Sequence, residues 1–152
     1  MAAPRRSRVI EREGTDIVGL LSAGAILIIL AVDYILNPVS PSTILDWIER
    51  MGNLNMFLKP PMALLTFFEY FFYAVAVWSI LVAAIRVMMG MPWRRITGDI
   101  AGALFTFLLA FLIGRYAANA ISVTSLVAYV VIGVGFVIIL QSAVNYALRE
   151  RY

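Results

Sequence analysis

FLLAFLIGRYAANAIS, residues 107–122, carries an arginine, Arg115, in a segment otherwise fit for hydrocarbon. From Ile100 to Ile121 no other residue is charged. Stopping the apolar segment at Gly114 would leave 15 residues, short of the about 20 that a helix needs to cross a bilayer core. The span is therefore expected to run through Arg115 to Ile121. A charge at that depth needs a partner, a route to water or a task.

Three further stretches have the same character, at 17–36, 62–89 and 126–148. The chain is 62 % hydrophobic and 14 % charged, against about 45–50 % and about 25 % in soluble domains. With 152 residues it is expected to form one domain, an all-α integral membrane four-helix bundle. The segment before span one begins with basic residues, as a signal peptide does. Its apolar run is too long for one, and no small-residue cleavage site follows, so it is read as a retained anchor with Thr15 or Asp16 as helix cap.

Orientation follows from the basic residues. Arg5, Arg6, Arg8, Arg12, Arg86, Arg94, Arg95, Arg149 and Arg151 flank one set of span ends, and only Arg50 and Lys59 flank the other. Arginine and lysine concentrate on the cytoplasmic side, so both termini are expected inside, in a multi-pass protein of the cell membrane. The basic N-terminal arm is accounted for by topology and does not point to nucleic acid. Between spans one and two, residues 42–58 place Ile44, Trp47, Ile48, Met51, Leu54 and Leu58 at three- and four-residue spacings. That pattern predicts an amphipathic helix in the outer interface, with Ser40 as its cap and Pro41 at its first position.

Depth along a helix, at about 1.5 Å per residue, groups three charges in the outer half of the bundle: Asp33, Glu69 and Arg115. Glu69 and Arg115 come out at similar depth. The expectation is a buried charge cluster in which Arg115 faces the interior and pairs with Glu69, Asp33 sharing the charge. Loss of one member would then cost roughly 3–5 kcal/mol, and joint apolar replacement would recover much of it. Two other readings stand beside it: snorkelling of Arg115 to the interface and a permeation path. Gly98, Gly102, Thr106, Ala110 and Gly114 recur every four residues along span three, a small-residue ladder suited to close helix packing. Gln141, Asn145 and Arg149 form a polar strip near the inner end of span four.

There is no Cys and no His. Thiolate or imidazole metal sites, haem ligation and cysteine or histidine catalysis therefore lack their residues. No phosphate-binding loop, nucleophile elbow or zincin motif is present. The sequence thus predicts no enzyme and no cofactor. It predicts a non-catalytic structural or accessory subunit, packed among lipids and other integral membrane subunits or further copies of itself. The alternative is an oligomeric channel or transporter with a path past Glu69, Arg115 and Asp33.

Overall fold

The computed structural model describes residues 6–54 and 58–149, which form five α-helices and no strand. These are α1 (Arg6–Leu36), α2 (Pro41–Leu54), α3 (Met62–Met88), α4 (Trp93–Ala117) and α5 (Val123–Arg149). All but α2 contain a stretch long and apolar enough to cross a membrane, the make-up of a multi-pass membrane protein. Helix α1 begins at Arg6, so Thr15 and Asp16 fall inside the helix and do not cap it. The side chains of residues 6–17, Arg94, Asn145 and Arg149, and all of Arg5 and Arg151, lie outside the described residues, as does the expected continuation of α2 over 55–57.

The largest departure from the sequence reading is in α4. The expected span was 100–121, whereas the helix runs from Trp93 to Ala117, about two turns earlier at its start and about one turn earlier at its end. Its stop is set by Asn119, which adopts a left-handed φ of 58°. The Asn119 N–H donates to Tyr116 O (3.0 Å) and the Ala120 N–H to Arg115 O (2.9 Å). This reversed pair of bonds satisfies carbonyls that the last turn leaves open. Lys59 donates to Ala117 O (2.8 Å) and to Asn119 Oδ1 (2.6 Å), and its ammonium lies 5.2 Å from the Tyr116 ring centre. A cation at this end also complements the helix dipole.

Helix α3 ends by the same device. Gly90 takes φ 66°, and Gly90 N and Met91 N donate to Val87 O and Arg86 O, both at 3.0 Å. The chain then enters α4 directly after Pro92. Ser122 opens α5 by accepting from Ser125 N at 3.1 Å. On α2, Thr43, Ile44, Trp47 and Met51 are half-buried, while Asp46, Ile48, Glu49 and Arg50 are exposed. Trp47 Nε1 donates to Leu58 O (3.1 Å), pinning the helix to the entry of α3.

The spans pack in series. Helix α1 lies against α3, α3 against α4, and α4 against α5, and among the described residues no other pair of elements makes more than marginal contact. The result is an open row with α1 and α5 on its flanks. Helix α1 touches the row along a narrow stripe: Val18, Ser22, Ala25, Ile29 and Asp33 are its more buried positions, spaced by three and four residues as one helix face requires. At the other end, Leu108 of α4 seats against the Cα of Gly133 in α5, where a Cβ would occupy the leucine's place.

Candidate functional site

The α1 stripe ends in a carboxylate. Asp33 is 6 % exposed, and it is the buried charged residue among those described. Asn37, four residues on and so on the same face, donates from Nδ2 to Asp33 Oδ1 at 2.7 Å. The Asn37 backbone N–H also donates to Asp33 O, at 2.7 Å. The second carboxylate oxygen, Oδ2, is buried and has no hydrogen-bond partner. Asp33 lies on the wall of a groove of about 620 Å³ between α1 and α3. Val32, Tyr70 and Tyr73 are also on that wall, with aliphatic side chains over the rest. Val32 and Tyr70 are about half exposed, so the groove opens to the side of the row.

The other two charges of the expected cluster lie elsewhere. Glu69 is half-buried on α3 and places its carboxylate over the Cα of Gly114 in α4, where a Cβ would meet Glu69 Cδ at 2.8 Å. Arg115 is exposed, and no ion pair joins it to Glu69. The reason is azimuth. Successive helical residues are rotated by about 100°, so if Gly114 faces Glu69, Arg115 points away from it. Arg115 also sits in the last turn of α4, one residue beyond Gly114, so at this helix end its depth is less than a span ending at Ile121 would give. Snorkelling, with the cation at the negative end of the helix dipole, accounts for it. Arg115→Leu is accordingly expected to cost less than about 1 kcal/mol, and Glu69→Gln to add to it without coupling. A double-mutant cycle in detergent unfolding checks this, and a strong coupling would restore the pair.

Among the described residues, an ion pair joins the C-terminal end of α3 to the N-terminal part of α4. Arg86 Nη1 donates to Asp99 Oδ2 at 2.7 Å and to Oδ1 at 2.9 Å. The side chains are 17 % and 19 % exposed. The sequence reading passed over Asp99, which it left outside span three, and used Arg86 only for orientation. A signal was present: the two opposite charges lie within two turns on either side of the Gly90–Pro92 turn, and a helical hairpin brings such positions close together. Lys59 was likewise counted as an outer-side charge, not as the group that closes α4.

The small-residue ladder divides between two neighbours. A four-residue step advances a helix by about 40° beyond a full turn, so the ladder winds around α4. Gly114 meets Glu69 of α3, Ala110 is fully buried, and Gly98 lies 3.9 Å from Gln141 Nε2 of α5 where its Cβ would be. Gly102 has no such neighbour within 4 Å. Thr106 satisfies its hydroxyl on its own helix, donating to Gly102 O (2.9 Å) and Ala103 O (3.1 Å).

No family model, characterised protein or solved structure matches the chain. The reading of its function rests on the residues themselves.

Proposed function

We propose that the chain is a non-catalytic subunit that packs within a larger membrane assembly, made with other integral membrane subunits or with further copies of itself. The observation that supports this is the open row of spans. Among the described residues, α1 is held chiefly through α3 and α5 chiefly through α4, and the outward faces of both flanking helices are broad, apolar and exposed, including Leu27 and Ile35 on α1 and Ile132 and Ile139 on α5. Helix association in lipid depends on close packing over long faces, and these faces are available for it. The alternative, a channel or transporter with a path past Glu69, Arg115 and Asp33, has less support, because the three side chains occupy three separate surroundings.

Photo-crosslinking residues at positions 27 and 139, installed in native membranes, are expected to yield protein adducts of discrete mass. Adducts with lipid alone at both positions, or robust solute flux from the purified protein in liposomes, would overturn the subunit reading.

In this reading the protein resides in the cell membrane with both termini in the cytoplasm, as the nine-to-two distribution of basic residues supports. Single cysteines at Ser42 and Ser7 test the topology in intact cells. A membrane-impermeant reagent is expected to label position 42 and spare position 7, and the reverse pattern inverts the orientation.

A further inference from the structure

We infer that the groove between α1 and α3 is a binding site for an amphiphilic monocation, an ammonium group carried on a hydrocarbon chain, with Asp33 as its counter-ion. The inference stands whether or not the chain is a subunit of an assembly.

Three observations point to that chemistry. The first is charge. Asp33 is 94 % shielded, and one of its two oxygens has a partner while the other has none. A buried carboxylate oxygen without a donor is costly, and a bound cation removes that cost. Asn37 holds the first oxygen through the i, i+4 relation, which fixes the carboxylate at the groove wall and leaves Oδ2 buried without a donor.

The second is the wall. Tyr70 and Tyr73 contribute aromatic rings, and Ile29 and Val32 contribute aliphatic surface. Aromatic faces attract organic ammonium groups, and aliphatic walls suit an alkyl chain. A hard inorganic cation fits poorly, because it requires about six oxygen ligands, and the side chains of the groove offer only those of Asp33, Asn37 and the two phenols. An anion is disfavoured by the carboxylate itself.

The third is size and access. About 620 Å³ falls in the range of small-molecule sites, about 300–1,000 Å³. Asp33 lies three residues before the end of α1 at Leu36, roughly 4.5 Å along the axis. A molecule anchored at the interface can therefore bring its head to the carboxylate while its tail stays along Ile29 and Val32. Both an amine-bearing lipid headgroup and a free amphiphilic amine meet this description.

The test uses the purified full chain in a neutral detergent, with dodecyltrimethylammonium as probe and isothermal titration as readout. Saturable binding at one site is expected. Asp33→Asn should weaken it by about tenfold or more. Tyr70→Leu should weaken it by about threefold, and Tyr70→Phe, which keeps the ring, should leave it near wild type. A neutral dodecyl analogue should not compete with the probe on the wild-type protein, a comparison that remains valid if a variant fails to fold. Equal competition by the neutral chain, or unchanged binding by folded Asp33→Asn, overturns the site. Nanodiscs then separate the sources. Displacement of the probe by phosphatidylethanolamine but not by phosphatidylglycerol assigns a lipid amine, and retention of the probe in both assigns a free amphiphile.

Discussion

Asp99→Leu is expected to destabilise the protein by about 3 kcal/mol, and Arg86→Met by a similar amount, while the double mutant recovers most of the loss. Both residues sit between helices that make the most extensive interface of the row. Removing the carboxylate leaves a guanidinium largely out of water, with its Nε already lacking a partner. Removing the arginine leaves a carboxylate in the same position. Replacing both with apolar side chains of similar size removes the desolvation penalty together with the attraction. Reversible unfolding in mixed micelles measures the cycle. Additivity within about 0.5 kcal/mol would show that the pair contributes nothing beyond its separate members.

A second large effect is expected at Gly133. The Leu108 side chain occupies the space that any Cβ at 133 would take. Alanine can be accommodated by a rotation of the leucine tip. Leucine cannot, and overpacking of this kind costs about 1–3 kcal/mol. Because α4 is the neighbour that holds α5, Gly133→Leu should loosen the whole of α5, read as accelerated proteolysis between α4 and α5 in detergent. Leu108→Ala, combined with Gly133→Leu, reverses the knob and its notch and should restore protection. If the double variant is no better than Gly133→Leu alone, the crossing is not organised around these two residues.

The four spans were legible because length and apolarity suffice to mark them: α3 matches its expected limits within a residue, at Met62–Met88. The limits of α4 were not legible, since its stop depends on Asn119 in a left-handed conformation and on a lysine from another segment. Tyr116-Ala117-Ala118-Asn119 contains no glycine or proline to announce an end. The matched depth of Glu69 and Arg115 was read as proximity, but depth fixes height and says nothing of azimuth. Asp33 shows the converse: the four-three-four-four spacing from Val18 to Asp33 already places it on the packed face of α1. The serial order of the spans could not be read, because helices that are apolar on all sides do not reveal which side meets a neighbour.

That serial order governs how the chain assembles as it is made. Helices α4 and α5 each pack on the one synthesised just before, so each can dock as it leaves the ribosome. Helix α1 has no such neighbour. Its contact is with α3, and 52 residues separate Leu36 from Met88. At synthesis rates of about 5–20 residues per second, α1 waits roughly 3–10 s in the bilayer with the Asp33 carboxylate uncovered. During that interval the insertion machinery, not the protein itself, must shelter the first span.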